Sequence, residues 1–311
     1  MIIFLFGLDS FRLYSKFKEI VENYQNLRKS KADLVIFEKE NLDFQKFKDF
    51  LNSPSLFEEK KLIVLKNAFS DKKFKENFFK EKEKILTSRN IILICEEGEI
   101  DKKNPLFSFL LKNSKWQEFQ KLKGEKLKNW AKKEILKYNL NIDPKALKKL
   151  LEFVGEDTWR LAQEIKKLAN FKKEGKIEIK DIEELVEPDI EIQIFKTIDA
   201  LVEKKKDLVL NFINFHFRKG DHPLYLFGAL IAHFRLLLSI KDLVERQKSW
   251  SLAFKELNIS PFLRKKIWVQ AQKFDTQKLK KIYQKLLKID LGIKTGQLDP
   301  QTGLELLVAE I

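Results

Sequence analysis

An α/β domain followed by two all-helical segments is the architecture that this sequence predicts. In the first part of the chain, short unbroken apolar runs alternate with stretches in which apolar residues recur every three or four positions. The runs are Ile2–Phe6, Leu34–Phe37, Leu62–Leu65 and Ile91–Cys95, and Trp116–Phe119, which contains two polar residues, is a further strand candidate. Strands that are apolar on both faces and separated by helices are typical of parallel sheets covered on both sides. Residues 1–121 are therefore predicted to form an α/β domain.

The strand pattern nearly vanishes beyond Gly124, and helical periodicity replaces it. Asp143-Pro144 and Asp157-Thr158 each predict a helix start, because aspartate caps helix N-termini and proline fits the first turn. Residues 122–187 are therefore predicted to form a small helical domain. Glu187-Pro188-Asp189 predicts a linker after it, since proline disfavours helix in the residue before it and cannot continue one.

The third segment, residues 188–311, is predicted to be a helical bundle. Apolar residues three and four apart recur in five stretches, each with a lysine-rich opposite face. These stretches are Ile192–Val202, Leu208–Phe217, Pro223–Val244, Pro261–Phe274 and Leu279–Ile293. No repeat of fixed period joins them, which argues against a solenoid.

The composition is that of a globular protein with more than one module. Of the 311 residues, 44% are hydrophobic and 27 are phenylalanine, so apolar material suffices for several cores. No run of about 18 apolar residues lacks a charge, so we expect no membrane contact and a cytoplasmic location. The single cysteine, Cys95, lies in an apolar run and is expected to be a buried core residue in a reducing compartment.

The formal net charge of +15 favours polyanionic partners, nucleic acid above all, because binding releases condensed counterions. A second explanation stays open. The basic residues are mostly lysines spread along helical faces, and abundant Lys, Asn, Ile and Phe together are also typical of the coding bias of an AT-rich genome.

The turn after the first predicted strand lies where many α/β proteins bind phosphate. It reads Gly7-Leu8-Asp9-Ser10-Phe11-Arg12, which lacks the second glycine and the lysine of the phosphate-binding pattern GxxxxGK[ST]. Asp9 places a negative charge beside the phosphate position and is better interpreted as a helix N-cap. We therefore expect a degenerate turn, marked by Gly7 and Asp9, that binds no nucleotide.

No catalytic, metal or cofactor site is expected. The three histidines, His216, His222 and His233, lack the spacing of zinc ligands and are assigned structural roles. No G-x-S-x-G elbow occurs, and the acidic residues mostly alternate with lysines as solvated helix faces.

The segment between the second predicted helix and the third predicted strand places two large apolar residues in a polar loop. It reads Asn52-Ser53-Pro54-Ser55-Leu56-Phe57. Such a Leu-Phe pair is typical of an anchor that fills a pocket on a partner. The alternative is a hydrophobic lid packed on the domain's own core, and the pattern alone leaves both open.

Four motifs in order resemble the delta subunits of bacterial DNA polymerase III clamp loaders over nearly the whole chain. Phe4–Phe11 resembles their strand, turn and helix with a degenerate phosphate loop. Ser55-Leu56-Phe57, followed by Lys61–Asn67, resembles their clamp-binding element and the next strand. Gly155-Glu156-Asp157 resembles the start of their lid helix, and Asp290–Gly296 resembles a motif of their collar.

The resemblance implies a degenerate AAA+ domain with a RecA-like parallel sheet and no P-loop at 1–121, a lid at 122–187 and an oligomerising collar at 188–311. It also implies a non-catalytic subunit that acts in DNA replication, where it binds and opens the beta sliding clamp for loading onto primed DNA. The implied partners are that clamp, gamma/tau and delta-prime type subunits, and primer-template DNA.

Carried over residue by residue, the resemblance assigns clamp contact to Ser55, Leu56 and Phe57. It suggests DNA contact at Lys294 and Thr295, although the neighbouring Gly296 is equally explained as a helix end. The chain is somewhat short and lysine-rich for this family. Two rival hypotheses remain, a stand-alone lysine-rich nucleic-acid-binding protein and an enzyme that hydrolyses nucleoside triphosphates.

Overall fold

The computed structural model describes residues 1–27, 33–55, 60–188, 190–203, 205–246, 249–257, 259 and 261–310. Contacts divide the chain into two units, Met1–Leu122 and Lys123–Ile311. The division into a separate lid and collar within the second unit stays a prediction.

A five-stranded parallel sheet forms the centre of the first unit, with the strand order β2-β3-β4-β1-β5. The strands are β1 (Ile2–Gly7), β2 (Leu34–Phe37), β3 (Leu62–Lys66), β4 (Ile91–Glu97) and β5 (Lys115–Phe119). The helices are α1 (Ser10–Asn26), α2 (Phe44–Asn52), α3 (Lys72–Lys80), α4 (Lys82–Thr87) and α5 (Pro105–Asn113). The predicted α/β class is confirmed, and all five predicted strands are present.

Each face of this sheet carries its own apolar core, because side chains alternate along a strand. On one face, Phe4 and Phe6 of β1 pack with phenylalanines from α2, α3 and α5. On the other face, Leu5 packs with Leu13 and Phe17 of α1. Cys95 is buried in this second core, as predicted, and burial raises the pKa of its thiol to about 12. Burial on both faces explains the unbroken apolar runs.

In its described residues the second unit is helical apart from a two-residue parallel pair, β6 (Asn141–Ile142) with β7 (Lys176–Ile177). Its first helices are α6 (Gly124–Leu136), α7 (Pro144–Val154), α8 (Thr158–Lys172) and α9 (Ile179–Leu185). The later helices are α10 (Ile190–Val202), α11 (Lys206–Lys219), α12 (Pro223–Glu245), α13 (Trp250–Glu256), α14 (Pro261–Lys273), α15 (Thr276–Lys294) and α16 (Pro300–Glu310).

Aspartate caps start α7 and α8, as predicted. Asp143 accepts a hydrogen bond from the backbone N–H of Lys145, and Asp157 accepts one from Arg160. The helices of the last third share one apolar core that extends from Ile194 to Val308. The sequence patterns did not predict the short helices α13 and α16 or the β6–β7 pair.

Helix α12 is the one described helix that is long and apolar enough to cross a membrane by length and composition. Its apolar residues include Leu226, Leu230 and Phe234, which are buried against the other helices of the shared core. This packing accounts for part of the high hydropathy, since 39% of the apolar window of the helix is buried.

Candidate functional site

Hydrogen bonds made by the side chains of Asp9 and Arg12 fix the conformation of the degenerate turn after β1. Asp9 is 3% exposed, and its carboxylate accepts hydrogen bonds from the backbone N–H of Arg12 at 3.1 Å and from Arg12 Nη1 at 3.3 Å. Arg12 Nη1 also donates to the Gln120 carbonyl at 3.0 Å. The predicted N-cap is therefore present. It places a carboxylate where a phosphate loop would present backbone N–H groups.

Close packing between two strands explains the glycine at this turn. Gly7 has φ 137, and a Cβ added to it would collide with the backbone of Phe119 on the neighbouring strand β5. The backbone N–H of Asp9 also donates to the Phe119 carbonyl at 2.9 Å. The glycine thus serves strand packing. That the turn binds no nucleotide remains a prediction.

Leu56 and Phe57, the two apolar residues assigned to clamp contact, lie outside the described residues. The chain is described on both sides of them, up to Ser55 and again from Lys60. The candidate site is therefore characterised by the residues that hold its two ends.

Lys61 joins the two ends of this segment. Its side chain is almost fully buried, with the residue 2% exposed, and its Nζ donates to the Phe50 carbonyl at 2.6 Å. It also donates to the Ser53 carbonyl and to Ser53 Oγ, the latter at 2.7 Å. These acceptors lie at the C-terminal end of α2, where helix carbonyls lack intrahelical partners and favour a cation. Burial lowers the pKa of Lys61, and the charge of Asp33 opposes that shift.

Asn90 makes a second connection between the same two ends. Its side-chain amide donates to the Leu51 carbonyl at 3.0 Å, and its side-chain oxygen accepts from the backbone N–H of Lys61 at 3.2 Å. The Asn90 carbonyl accepts from the N-terminal ammonium of Met1 at 2.8 Å. One residue thereby ties the end of α2 to the start of β3.

Asp33 and Tyr24 complete the arrangement. Ser55 Oγ donates to Asp33 Oδ2 at 2.7 Å, and Tyr24 Oη lies 2.9 Å from the Lys60 carbonyl and 3.2 Å from the Asp33 carbonyl. Asp33 also accepts from the backbone N–H of Leu62 at 2.9 Å.

We call Tyr24, Asp33, Lys61 and Asn90 together the loop anchor. Three side-chain bonds from Lys61 and one from Asn90 reach the end of α2, and bonds from the other members reach Ser55 and Lys60. No sequence pattern singled out these four residues. The available signal was a lysine placed directly between a polar loop and a buried strand.

The loop anchor lies at the N-terminal end of the parallel strands, and the degenerate turn lies at their C-terminal end. Gly7 ends β1, whereas Lys61 directly precedes β3, and the two strands run in the same direction. Strands of five or six residues separate these two ends of the sheet by roughly 17 Å. The loop anchor is thus separated from the end of the strands where related folds bind nucleotide.

A buried carboxyl group occurs at the carboxyl edge of the same sheet. Glu96, at the end of β4, is 5% exposed and accepts a hydrogen bond from the backbone N–H of Phe69 at 3.1 Å. Burial raises its pKa to about 8, although the N–H groups of Phe69 and Ala68 oppose that shift. No sequence pattern indicated a role for this residue.

The histidines take structural positions, as assigned. His216 Nδ1 lies 2.7 Å from Asp221 Oδ2, and His233 Nε2 lies 2.8 Å from Gln270 Oε1. His222 caps α12 by accepting from the backbone N–H of Leu224. Within the described ranges, no group of three or more His, Cys, Asp or Glu side chains is placed to hold a metal ion.

Lys294 and Thr295 lie at the end of α15. Lys294 Nζ pairs with Asp290 Oδ2 at 2.6 Å, and Thr295 Oγ1 donates to the Leu291 carbonyl at 2.8 Å. Gly296 follows with φ 74, the left-handed conformation of a helix end. DNA contact by Lys294 and Thr295 stays a prediction.

Comparison with protein families gives two matches in chain order. Residues 4–120 match the family "DNA polymerase III, delta subunit", and residues 191–311 match "DNA polymerase III delta subunit, C-terminal domain". Together the matched ranges cover most of the chain, with residues 121–190 between them.

Individual relatives agree with these matches. The chain is 24% identical to the DNA polymerase III subunit delta of Bacillus subtilis (strain 168), over 99% of this chain and 91% of that protein. It is 25% identical to the probable DNA polymerase III subunit delta of Aquifex aeolicus (strain VF5), over 55% of this chain and 49% of that protein. The fold matches the Bacillus subtilis DNA clamp loader delta protein (YqeN) with a TM-score of 0.68 and 21% identity, over 99% and 94% of the two chains.

Proposed function

This chain belongs to the family of DNA polymerase III delta subunits, and from that premise we propose that it binds and opens a ring-shaped sliding clamp. Membership makes it a DNA replication protein of the clamp-loader type with an AAA+-like fold. The proposed contact residues are Ser55, Leu56 and Phe57. The chain is proposed to have no catalytic activity of its own.

The observation that carries this proposal is the loop anchor. Lys61 is 2% exposed and Asp33 is 5% exposed, so two charged residues are buried beside a loop. Burying charge is costly unless hydrogen bonds compensate for the lost water, and here the bonds go to the two ends of one short segment. A loop held at both ends loses less conformational entropy when a partner binds it. The arrangement therefore suits the presentation of Leu56 and Phe57 to a partner.

Two apolar side chains supply enough free energy for a specific contact. Full burial of a Leu or Phe side chain contributes about 1.5–3 kcal/mol each. Part of this gain offsets the ordering of the loop and the loss of translational freedom. Two apolar side chains of this kind are typical of a hot spot surrounded by weaker contacts.

Opening of the clamp follows from a difference in affinity. A protein that binds the open form of a ring better than the closed form shifts the population towards the open form, with no chemical step of its own. Gamma/tau and delta-prime type subunits are the proposed neighbours, and ATP binding in the motor subunits is proposed to expose the loop. Primer-template DNA is a further proposed partner, and the proposed location is the cytoplasm.

The rival of a stand-alone nucleic-acid-binding protein is favoured by one observation, the formal net charge of +15. Salt dependence separates the two. Contact through apolar residues should persist at moderate salt, whereas contact through phosphates should weaken steeply.

The test is direct binding of the purified full-length chain to a purified sliding clamp and to DNA across a salt series. Tight clamp binding that changes little with salt supports the proposal. Absent clamp binding together with steeply salt-dependent DNA binding supports the rival. Titration with ATP separates both from a nucleotide hydrolase, since only the hydrolase requires the isolated chain to bind ATP.

A further inference from the structure

A cleft of about 560 Å³ opens in the second unit among helices α6, α7, α10 and α14. Lysines outnumber carboxylates on its walls by six to two. The lysines are Lys128, Lys148, Lys196, Lys265, Lys266 and Lys273. A concave surface lined mainly by one sign of charge focuses the electric field and concentrates ions of the opposite sign. We call this surface the lysine cleft.

The two carboxylates of the lysine cleft are already neutralised. Glu152 pairs with Lys266, and Asp199 Oδ1 lies 3.1 Å from Lys273 Nζ. Both acids therefore serve to hold lysines of the wall and do not provide a site for a cation. The surplus charge of the cleft remains positive.

Three of the lysines have no carboxylate partner in the part of the chain that the structure describes. These are Lys148, Lys196 and Lys265, and all three are exposed. They come from three different helices, α7, α10 and α14. A solvated helix face explains lysines that follow one another along a single helix, but it does not explain lysines from three helices around one cavity. The convergence indicates a site for an anion.

An exposed aromatic ring lies beside Lys265 on α14, outside the lining of the cleft itself. Trp268 is 36% exposed, and its ring packs edge-on against Trp250 with the centroids 6.1 Å apart. On α14 it lies three residues after Lys265, so the two side chains share a face of the helix. The next residue, Val269, is 39% exposed and lines the cleft itself.

Lysines that track phosphates beside an aromatic ring on which bases stack are the features of a single-strand-binding surface. A duplex would hide its bases from Trp268. A free phosphate or an acidic peptide carries no base that could stack on the Trp268 ring.

We propose that the lysine cleft binds the phosphodiester backbone of single-stranded nucleic acid, with Lys148, Lys196 and Lys265 contacting phosphates and Trp268 stacking on a base. This inference deepens the proposed DNA contact, on which it rests, and places that contact away from Lys294 and Thr295. It is independent of clamp contact by Leu56 and Phe57.

The experiment compares two triple variants of the full-length chain. The first is Lys148→Gln/Lys196→Gln/Lys265→Gln. The control is Lys280→Gln/Lys281→Gln/Lys288→Gln, which removes the same charge from exposed lysines of α15 that do not line the cleft. Binding to a labelled oligothymidylate of about 16 nucleotides, the upper site size of one single-strand module, is measured across a salt series.

The cleft triple is expected to bind at least about tenfold more weakly at low salt, and the slope of log K against log salt should shrink in magnitude by about 2. The control triple should remain close to the unmodified chain. The cleft assignment is overturned by equal losses in both triples, which would reveal a diffuse field, or by unchanged binding in the cleft triple.

Three further results separate the proposal from its alternatives. An unmodified chain that binds no oligonucleotide would overturn the DNA contact itself and not only its location. Equal affinity for a duplex of the same length would overturn the single-strand assignment. A poly-glutamate peptide that binds as tightly, with the same loss in the cleft triple, would overturn nucleic acid as the ligand.

Discussion

Lys61 Nζ lies 2.6 Å from the carbonyl oxygen of Phe50 and 4.6 Å from the centroid of the Phe50 ring. One buried ammonium group thus binds the end of α2 and the aromatic ring on that helix, eleven residues earlier in the chain. The segment between them carries the residues proposed to contact the clamp. The anchor therefore connects the stability of the domain with the presentation of that segment.

Replacing Lys61 is expected to destabilise the protein. Lys61→Met removes the hydrogen bonds from the ammonium group to the carbonyls of Phe50 and Ser53, and the Phe50 carbonyl keeps only the Ser53 hydroxyl as a donor. Loss of a hydrogen bond to a charged group costs about 1.5–3 kcal/mol. Lys60→Met is the matched control, because Lys60 is exposed and its carbonyl, not its side chain, makes the described contact. Urea unfolding measures both. Identical midpoints for the two variants would show that the anchor contributes nothing.

The stability of the first unit is expected to depend on the protonation of Glu96. Its pKa is raised to about 8 in the folded protein, so the fold prefers the neutral form. The stabilisation is complete below the ordinary pKa of about 4.5 and is lost as pH rises towards 8. Glu96→Gln keeps a neutral acceptor, so its advantage over the unmodified chain should grow with pH, by up to about 5 kcal/mol.

Glu97→Gln is the control for this experiment, because Glu97 is the exposed neighbour. Unfolding free energies are measured from about pH 4 to about pH 9, the range that brackets the pKa values of 4.5 and about 8. A curve for Glu96→Gln that runs parallel to that of the unmodified chain would contradict the account of this carboxyl group.

His233 is expected to give the opposite pH dependence. Burial lowers its pKa to about 4, while the hydrogen bond with Gln270 and the charge of Asp199 oppose that shift. The fold thus prefers the neutral ring, and stability should be lost as pH falls from 6.5 towards 4, by up to about 3 kcal/mol.

In His233→Gln this acid-side loss should be reduced, whereas the exposed His222→Gln should retain it. Unfolding free energies measured from pH 6.5 down to about 4 distinguish the two variants. Equal acid sensitivity in both variants would contradict the assignment to His233.

The close approach of two strands at the degenerate turn predicts a large cost for Gly7→Ala. The added methyl group would collide with the Phe119 backbone and would also impose strain at φ 137. A loss of at least about 2 kcal/mol is expected. Gly98→Ala is the control, since Gly98 also has positive φ, 94, but a Cβ there meets no atom within 4 Å. Equal losses in thermal unfolding would show that strand packing at Gly7 is unimportant.

The strands and helix starts that were predicted correctly follow from local sequence signals. Apolar runs such as Ile91–Cys95 gave the strands because both faces of the sheet are buried. Aspartate at positions 9, 143 and 157 gave helix starts because a carboxylate that caps N–H groups is a purely local interaction.

The features that were missed depend on tertiary structure. Asn90 follows Lys61 by 29 residues, and no spacing rule shows that they meet at the end of α2. The lysine cleft likewise draws on helices whose order along the chain does not predict their convergence. Glu96 follows the apolar residues of β4, and only the tertiary structure shows that its carboxyl group is buried.

Clamp affinity of the double variant Leu56→Ala/Phe57→Ala decides whether these two side chains hold a sliding clamp. The control is Leu287→Ala/Phe171→Ala, which removes the same two side-chain types from positions that are 54% and 52% exposed. With purified sliding clamp, the account predicts a loss of about 100-fold or more for the loop variant, as burial of two such side chains implies. It predicts near-unchanged affinity for the control. Clamp binding by the loop variant at the affinity of the unmodified chain would contradict it.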